Sequence, residues 1–410
     1  IDNLPIIAFN SLEVFIKKKD IKRIFLCLPS ASSFKLNEIK EKLKKFNITL
    51  EEIKSINQKQ SEYENFNFKT NIIDENKIKN SKNPYKNKKI IITGAAGTIG
   101  EEICYQLINK NPSELILIDK NEIGISNLYQ KLDKINTNKT KIKLLLINLC
   151  FKPAIEKILN ENKPDFIFHA AAYKHVEIVQ DNPINSVYNN VISLINILEI
   201  SKNLKDLNFV FISTDKAVEP INYMGKSKRL GEIITNSFNF MEFNQNKYCS
   251  VRFGNVIGSS GSLIPKIQNQ INNNNEVTVT DIKATRYFMT INDAVNLTLQ
   301  ATQLSNKGQI YVLDMGEPIN IYELVKKIII NSGREELIDK IKITGLRNGE
   351  KLHEKLYHPN KSLQTANKLI LSEKIEKIYS NQEIEIIKLK LIDSLNKNNI
   401  KFLDEVFSSM

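Results

Sequence analysis

A carboxylate and an amine lie side by side near the middle of the chain, in STDKAVEP (213–220). Asp215 and Lys216 follow the apolar run FVFIS (209–213), which predicts a buried strand ending at this point. Because open parallel sheets bind ligands at the carboxyl ends of their strands, the pair is a candidate for chemistry on a bound molecule. A lysine serves as a base only if its pKa falls, so we expect a lowered pKa for Lys216. The alternative is an exposed ion pair on a loop.

A tyrosine just beyond this pair lies one residue out of its expected register, in YMGKSK (223–228). A tyrosine and a lysine four residues apart would share one helix face, as a catalytic pair needs. Lys228 instead has Met224 four residues before it, and a thioether has no proton to exchange. Either the proton goes through another group, or a local helix distortion brings Tyr223 inward, which would need an identifiable cause.

A glycine-rich turn follows the apolar strand KIIIT (89–93), with glycines at GxxGxxG spacing at Gly94, Gly97 and Gly100. Glycine lets the backbone turn tightly and approach a pyrophosphate, which then lies at the start of the following helix. Asp119 ends the next strand about twenty residues on, as dinucleotide folds require. Its carboxylate would bind an adenosine ribose and repel a 2′-phosphate, which favours NAD over NADP, although Lys120 weakens the preference. The alternative is a glycine turn without a ligand.

Strands and helices alternate regularly from Lys89 onward. Apolar runs that predict strands occupy residues 89–93, 114–119, 141–147, 165–170 and 209–213. This spacing is typical of right-handed βαβ units around a parallel sheet. We therefore predict an α/β fold with a doubly wound, Rossmann-type sheet. Residues 89–255 would form the NAD-binding domain, and residues 256–410 mainly a smaller substrate-binding lobe interleaved with it.

The preceding residues predict a separate, small α/β domain at 1–56. Its strands would be RIFLCLP (23–29) and ITLEEIKSI (48–56), with an amphipathic helix at 31–46 between them. No glycine-rich turn follows the first strand, so we expect a structural or assembly role for this domain. Residues 57–88 are polar with little periodicity and are expected to form a linker.

Composition limits the class of protein. The 410 residues, 41% of them hydrophobic, suggest two to three domains with real cores. The net charge of +12 comes from scattered lysines without a nucleic-acid-binding signature, so we expect no nucleic-acid partner. The four cysteines and four histidines lack metal-ligand spacing, so we expect no metal site. The chain begins at Ile1 without a leader, which suggests a fragment of a longer protein.

Several blocks, taken together, resemble one family. They cover most of residues 89–360 and comprise GAAGTIG (94–100), HAAAYKHVEIVQDNP (169–183), STDKAVEP (213–220), MGKSKR (224–229), RFGNVIGSSGSLIPKI (252–267), TRYFMTI (285–291) and GLRNGEKLHEKL (345–356). The chain resembles the extended short-chain dehydrogenases/reductases, and within them the long, polysaccharide-biosynthesis type of UDP-N-acetylglucosamine 4,6-dehydratase. Such an enzyme uses bound NAD to oxidise carbon 4 of the sugar, removes the carbon 5 proton, releases water from carbon 6 and returns the hydride there.

The resemblance implies a role for each catalytic position. Asp215 would be the acid that assists water loss, Lys216 the base at carbon 5, and Lys228 the partner of the nicotinamide ribose. Most relatives have tyrosine where Met224 stands, and that phenol takes the oxygen 4 proton. The long-form dehydratases resemble this sequence in having Met there. We expect Asp215 to take that proton, with Thr214 as a relay.

The resemblance also implies the ligand contacts. Cofactor contacts, besides the glycines and Asp119, would come from Thr98, Ile99, Asn148, Leu149, Ala170 and Ala171. Asn148 stands where relatives usually have aspartate, so altered adenine contacts are expected. Sugar and phosphate contacts would come from Lys174, His175, Asn255, Arg286, Arg347 and Glu350, the last orienting an arginine or a ribose hydroxyl. Arg252 is equally compatible with a structural role.

The implied function is conversion of UDP-N-acetylglucosamine to a UDP-4-keto-6-deoxy sugar for a surface polysaccharide or glycan. A UDP-sugar 4-epimerase also oxidises carbon 4, but has no use for an Asp–Lys pair at carbons 5 and 6. A catalytically silent module that binds NAD or a nucleotide sugar is a third reading, and Met224 is its best argument. Relatives imply a homodimer or larger homo-oligomer. The full-length protein would be membrane-anchored, facing the cytoplasm at the inner membrane.

Overall fold

The computed structural model describes residues 83–410, except 242–244, 260, 274–275 and 305–307, and a few earlier residues: 16, 21, 23–26, 43, 46 and 49–52. The chain divides into two compact units, Ile1–Asn67 and Phe68–Met410. Among the described residues, no helix is long and apolar enough to cross a membrane.

The first unit contains two short parallel strands. β1 (Arg23–Leu26) and β2 (Thr49–Glu52) pair in register, with Arg23 opposite Thr49. Both lie inside the runs predicted as strands. The helix predicted at 31–46 and the linker predicted at 57–88 fall mostly outside the described residues.

The second unit is built on one large sheet and several two-stranded pairs. Its strands in chain order are β3 (Lys89–Thr93), β4 (Glu114–Asp119), β5 (Lys141–Leu146), β6 (Phe166–His169), β7 (Asn208–Ile212), β8 (Lys247–Arg252), β9 (Asn255–Val256), β10 (Thr278–Val279), β11 (Thr285–Arg286), β12 (Phe288–Met289), β13 (Gln309–Leu313), β14 (Ile319–Asn320), β15 (Lys342–Ile343), β16 (Ser362–Gln364) and β17 (Ile370–Lys374). The large sheet has the order β16-β17-β13-β8-β7-β6-β3-β4-β5.

The helices of this unit in chain order are α1 (Thr98–Ile108), α2 (Glu122–Ile135), α3 (Lys152–Asn162), α4 (Val176–Asp181), α5 (Pro183–Ser201), α6 (Tyr223–Ser237), α7 (Leu263–Asn272), α8 (Ile291–Ala301), α9 (Ile321–Asn331), α10 (Asn381–Lys397) and α11 (Lys401–Ser408). α1 packs against α2 and α8, whereas α5 packs against α3, α6 and α10. The sheet therefore lies between two helical layers, which explains why its inner strands are apolar runs rather than alternating ones.

Strand order reverses at β3, which pairs in parallel with both β4 and β6. β7 and β8 continue the parallel sheet beyond β6, and β17 then pairs antiparallel with β13. Because the chain runs outward in both directions from β3, a crevice forms beyond the carboxyl ends of the central strands, where ligands bind in doubly wound folds. The predicted parallel α/β fold is confirmed.

The segment after residue 255 is divided between the large sheet and a smaller lobe. β13, β16 and β17 extend the large sheet, while α7 packs against α9 beside the β10–β15 pair. Tyr85, within the stretch expected to be a linker, is buried against Phe166, and its hydroxyl donates to the Leu299 carbonyl at 2.7 Å. The described end of that stretch is therefore part of the core.

Candidate active site at the carboxyl ends of the strands

The turn after β3 is tightly packed, and only glycine fits it. Gly94 has φ of +67°, and a Cβ built there would lie 2.6 Å from the Ala171 nitrogen. A Cβ on Gly100 would lie 2.1 Å from the Gly94 carbonyl oxygen. Gly97 is the N-cap of α1 and offers no capping side chain. The start of the helix is therefore open to an anionic ligand, as the glycine spacing predicted.

A cleft lies above this turn, and most of the predicted cofactor residues line it: Gly94, Gly97, Asp119, Asn148, Leu149, Ala170 and Ala171. Thr98, Ile99 and Gly100 instead form the first turn of α1. Ser193 also lines the cleft, and its buried hydroxyl has no hydrogen-bond partner among the described residues. A buried orphan hydroxyl beside glycines that leave backbone exposed fits a polar ligand. The residues present therefore fit a dinucleotide.

Asp119 and its neighbours form the far edge of the cleft. The Asp119 carboxylate accepts hydrogen bonds from the Ala96 and Asn121 backbone nitrogens, both at 2.9 Å. Lys120 lies over the Tyr173 ring, 4.1 Å from its centroid, and contacts the Tyr173 hydroxyl. Lys120 and Tyr173 both line the cleft, although neither was predicted as a contact. From the sequence, Lys120 was considered only as a charge that weakens the preference for NAD over NADP.

Asn148 uses its side-chain oxygen locally. That oxygen accepts a hydrogen bond from the Cys150 backbone nitrogen at 3.0 Å, which closes a turn after β5. A carbonyl oxygen has two lone pairs, so one stays available to a ligand. The expectation of altered adenine contacts at this position stays a prediction.

Asp215 and Lys216 form a buried pair directly after β7. Asp215 is 0% exposed, and its backbone nitrogen donates to the Phe253 carbonyl at 3.0 Å, which ties it to the end of β8. The Lys216 Nζ donates to Asp215 Oδ1 at 2.9 Å, and the Thr214 hydroxyl donates to the same oxygen at 2.8 Å. The exposed ion pair considered from the sequence is therefore wrong. The sheet holds these groups at its ligand-binding edge.

The charge state of Lys216 differs from the expectation. Burial acts to lower the pKa of Lys216, but the Asp215 and Glu354 carboxylates outweigh burial, and the pKa is raised. The expectation of a lowered pKa, which requires desolvation or a cationic neighbour to dominate, is wrong for this structure because two carboxylates lie beside the amine. Lys216 is an ammonium group here.

Lys228 is a second buried amine close to the end of β7. Its Nζ donates to the Ile212 carbonyl at 2.8 Å and lies 4.6 Å from the centroid of the Phe211 ring. Burial lowers the pKa of Lys228 to about 8. An amine held at a strand end with two N–H donors left over can bind a ribose hydroxyl.

Met224 and Tyr223 begin helix α6. The Asn222 side chain accepts a hydrogen bond from the Gly225 nitrogen at 2.7 Å and so fixes the start of the helix. Met224 is buried, one turn before Lys228. The Tyr223 hydroxyl donates to Asp404 Oδ1 at 3.0 Å, in helix α11. The distortion that would turn Tyr223 inward is therefore wrong, because this phenol is already bound elsewhere.

His169 lies beneath the glycine turn and was not predicted as a site residue. Its Nδ1 is 2.8 Å from the Thr93 hydroxyl, and its ring stacks near Phe209 and Phe211. Burial, together with the charge of Lys228, lowers the pKa of His169 to about 3. His169 is therefore a neutral, structural side chain that joins the ends of β3 and β6.

Three of the predicted substrate residues lie close to the Asp–Lys pair or to each other. The Asn255 side-chain oxygen is 3.4 Å from the Lys216 Nζ. Arg286 contacts Glu350, with 2.8 Å between Nη2 and Oε1, and donates to the Leu352 carbonyl at 3.0 Å. Glu350 thus contacts an arginine, as expected from the sequence, and holds it in place at the edge of the lobe.

The other predicted substrate residues lie further out. The Arg347 side chain is 43% exposed and contacts Glu177 of α4. Lys174 and His175 are exposed in the segment before α4, and the His175 ring lies against Gly261. The side chain of Lys174 is exposed, yet the surrounding chain removes part of its hydration, and this desolvation lowers the pKa of Lys174. Their part in binding stays a prediction.

Arg252 is structural. It is fully buried and donates two hydrogen bonds to Glu232, from Nε at 2.9 Å and from Nη2 at 2.8 Å. Its Nη1 reaches Glu373 at 3.3 Å and the Leu356 carbonyl at 3.1 Å. Glu232 also accepts from the Ser213 hydroxyl at 2.6 Å. This network joins α6, β8 and β17 directly behind the Asp–Lys pair.

Glu354 is a site residue that sequence reasoning missed. It is 7% exposed, and its Oε1 lies 3.9 Å from the Lys216 Nζ. The sequence signal that could have found it is its place in GLRNGEKLHEKL (345–356), where only Arg347 and Glu350 were considered. Among the described residues, no group of histidine, cysteine, aspartate or glutamate side chains could hold a metal ion.

Comparison with known proteins identifies the family. A model of the family described as polysaccharide biosynthesis protein matches residues 90–376. The capsular polysaccharide biosynthesis protein CapD of Staphylococcus aureus is 36% identical over 395 residues, which are 94% of this chain and 66% of CapD. The probable polysaccharide biosynthesis protein EpsC of Bacillus subtilis is 40% identical over 278 residues, which are 68% of this chain and 46% of EpsC. This chain thus spans less than two thirds of either relative.

Other similar proteins include an epimerase and a dehydratase of nucleotide sugars. A UDP-glucose 4-epimerase of Rickettsia bellii is 32% identical over 276 residues, covering 66% of this chain and 78% of the epimerase. The X-ray structure of Pen from Bacillus thuringiensis has a TM-score of 0.65 and 29% identity, covering 72% of this chain and 91% of Pen. The dTDP-glucose 4,6-dehydratase DesIV of Streptomyces venezuelae, at 17% identity and a TM-score of 0.57, covers 66% of this chain and 88% of its own, and shares the fold. The chain therefore belongs to the polysaccharide biosynthesis protein family and has the fold of the extended short-chain dehydrogenases/reductases.

Proposed function

We propose that this chain is an NAD-dependent nucleotide-sugar 4,6-dehydratase that converts UDP-N-acetylglucosamine to a UDP-4-keto-6-deoxy-N-acetylhexosamine and water. The observation that carries the proposal is the buried Asp215–Lys216 pair at the carboxyl end of β7. An elimination across carbons 5 and 6 needs a base and an acid close together, and few other reactions of a nucleotide sugar do. The family, which includes capsular polysaccharide biosynthesis proteins, supports a role in making a surface polysaccharide.

The cofactor would occupy the cleft above the glycine turn. Gly94 and Gly97 would let the backbone approach its pyrophosphate, Asp119 would accept from the adenosine ribose, and Lys228 would donate to the nicotinamide ribose. When bound, NAD supplies the reversible oxidation at carbon 4 that acidifies the carbon 5 proton. The Asp119 carboxylate would repel the 2′-phosphate of NADP, whereas the positive charge of Lys120 would weaken that repulsion. We therefore predict that the protein prefers NAD to NADP.

Lys216 would remove the carbon 5 proton, and Asp215 would protonate the hydroxyl leaving carbon 6. Lys216 must first lose its own proton, because an ammonium group cannot act as a base. Asp215 Oδ2 is buried without a hydrogen-bond partner among the described residues, so one carboxylate oxygen is left for substrate. The oxygen 4 proton would pass to Asp215 through the Thr214 hydroxyl, which already contacts it at 2.8 Å. Met224 takes no part in proton transfer.

Arg286 is the best-supported ligand for the diphosphate. Its guanidinium already holds a carboxylate oxygen of Glu350 through Nη2 at 2.8 Å, and a guanidinium can bind a phosphate through two nitrogens at once. Asn255, beside Lys216, would contact the sugar. Lys174, His175 and Arg347 would act from the outer rim of the crevice.

The decisive experiment is incubation with UDP-N-acetylglucosamine and NAD in deuterated water, followed by NMR and mass spectrometry of the nucleotide sugar. A dehydratase gives a product that has lost water and gained deuterium at carbon 5. An epimerase gives a sugar of unchanged composition without deuterium at carbon 5. This outcome is tested because a UDP-glucose 4-epimerase of Rickettsia bellii is similar to this chain. Binding without turnover would support the silent module instead.

Substitutions test the assigned roles. Lys216→Ala and Asp215→Asn are each expected to lower kcat about 100- to 10,000-fold, the usual value of a positioned acid or base. The matched controls are Lys397→Ala and Asp393→Asn, which break an exposed pair of the same types in α10. Near-normal turnover in either active-site variant would overturn the role assigned to that residue.

A further inference from the structure

A second carboxylate faces the amine of Lys216, from a distant part of the chain. Glu354 lies in the segment before β16, and its Oε1 is 3.9 Å from the Lys216 Nζ. Its other oxygen lies 3.6 Å from the Nζ of Lys351, which itself donates to the Val218 carbonyl at 2.6 Å. Glu354 is therefore placed between the amines of Lys216 and Lys351.

The two carboxylates that face Lys216 have unused hydrogen-bonding capacity. Asp215 Oδ2 and Glu354 Oε2 are both buried and have no hydrogen-bond partner among the described residues. Buried polar atoms are almost always paired, and an unpaired one costs about 1 to 3 kcal/mol. Glu354 Oε2 still lies in ion-pair range of the Lys351 Nζ at 3.6 Å, so the Asp215 oxygen is the one that points to a site held ready for chemistry rather than to packing alone.

The charges around Lys216 come from three parts of the chain. Asp215 precedes it at the end of β7, Glu354 approaches from the segment before β16, and the positive Arg286 acts from β11 with the opposite sign. Asn255 adds a neutral oxygen at 3.4 Å. Lys216 is thus held by contacts from both the nucleotide-binding core and the smaller lobe.

We propose that Glu354 is a positioning residue that holds Lys216 and controls its protonation, by placing a second negative charge beside the amine that Asp215 already contacts. The inference rests on the proposed function, in which Lys216 is the base at carbon 5. Asp215 is the main cause of the raised pKa of Lys216, and Glu354 adds to it from the opposite part of the chain, so that the amine lies between two carboxylates. It does not itself contact the sugar, and it acts through Lys216.

The segment that presents Glu354 is also the segment that holds Arg286. The Thr285 nitrogen and the Arg286 Nη1 both donate to the Leu352 carbonyl at 3.0 Å, two residues before Glu354. The proposed phosphate ligand and the carboxylate beside Lys216 are thus tied to the same short segment.

The first test is the pH dependence of kcat/KM in Glu354→Gln. Removing a negative charge beside an ammonium lowers its pKa, so the rising limb of the profile moves to lower pH, by about 1 pH unit. Glu354→Asp keeps the charge and restores most of the original profile. Glu376→Gln is the control, because Glu376 is an exposed glutamate paired with Lys361. A profile unmoved in Glu354→Gln would overturn the proposal while leaving the dehydratase reaction intact.

The second test needs no turnover and so stands apart from the proposed function. Competitive acetylation with acetic anhydride, read by mass spectrometry of the peptide that contains Lys216, gives the pH midpoint of this amine in the ligand-free protein. In the unmutated protein, the midpoint of the Lys216 amine is expected to lie above the ordinary lysine value of about 10.4. In Glu354→Gln, the midpoint is expected to be lower than in the unmutated protein. A midpoint at or below the ordinary value in the unmutated protein would refute the proposal even if the variant fails to fold.

Discussion

Replacing Arg252 by methionine is expected to destabilise the second unit strongly while leaving its surface unchanged. Arg252 is fully buried and its guanidinium joins Glu232 in α6 to Glu373 in β17. Methionine retains apolar packing but removes both charge contacts and the hydrogen bond to the Leu356 carbonyl. Two carboxylates are then left in the core without Arg252. Glu232 keeps its contacts with Arg229 at 3.1 Å and with the Ser213 hydroxyl at 2.6 Å, and Glu373 keeps the hydrogen bond from the His358 nitrogen at 2.9 Å.

The expected loss is about 3 to 5 kcal/mol in the free energy of unfolding at neutral pH, because breaking a buried pair leaves an uncompensated charge. The loss depends on pH in a defined direction. In the unmutated protein, burial acts to raise the pKa of Glu232, but the contacts with cationic side chains, Arg252 first, outweigh burial and the pKa is lowered. The stabilisation that ionised Glu232 provides is therefore lost as pH falls below about 4.3, the pKa of glutamate in an unfolded chain. In the variant burial prevails, the pKa of Glu232 rises, and stability falls as pH increases.

Urea denaturation followed by far-ultraviolet circular dichroism suits this measurement, since the chain has no tryptophan. The destabilisation is expected to be larger at pH 8 than at pH 5. Adding Glu232→Gln to Arg252→Met should recover part of the loss, which makes the two changes non-additive. The control, Lys397→Met, breaks an exposed pair and should cost less than about 1 kcal/mol. A loss in Arg252→Met as small as the control, without pH dependence, would refute the reasoning.

Three further predictions concern the cofactor cleft and its supports. Gly94→Ala should abolish NAD binding in calorimetry and destabilise the protein by about 1 to 3 kcal/mol more than the control Gly316→Ala. Both glycines have φ of +67°, but of the two only Gly94 has backbone atoms within 4 Å of a new Cβ. Burial lowers the pKa of Lys228 to about 8, so above that pH the unfolded chain binds more protons than the folded one, and stability rises with pH up to about 10. In urea titrations, Lys228→Met should remove about 3 kcal/mol of that rise. Burial lowers the pKa of His169 to about 3, so stability is lost as pH falls from about 6.5 towards 3. Acid denaturation of His169→Phe should lack about 5 kcal/mol of that loss. An unchanged pH dependence in either variant would contradict the corresponding burial argument.

The sequence by itself determined the sheet and the position of the chemistry on it. The apolar runs gave strands at nearly the predicted residues, because period and length of such runs follow from burial on both faces. The glycine spacing predicted a turn that excludes any Cβ, since that requirement is local to a few residues. Asp215 and Lys216 were found because they adjoin a predicted strand end.

Only the tertiary structure decided how the side chains at that edge act on one another. Whether Tyr223 faces the crevice depends on α11, whose Asp404 binds its hydroxyl, and no local pattern could reveal that. The role of Arg252 depended on which carboxylates meet it in the core. The direction of the Lys216 pKa depended on how closely the Asp215 carboxylate packs against the amine and on Glu354, which approaches from a remote segment. A charge state is a sum over neighbours in space, and most of those neighbours are distant along the chain.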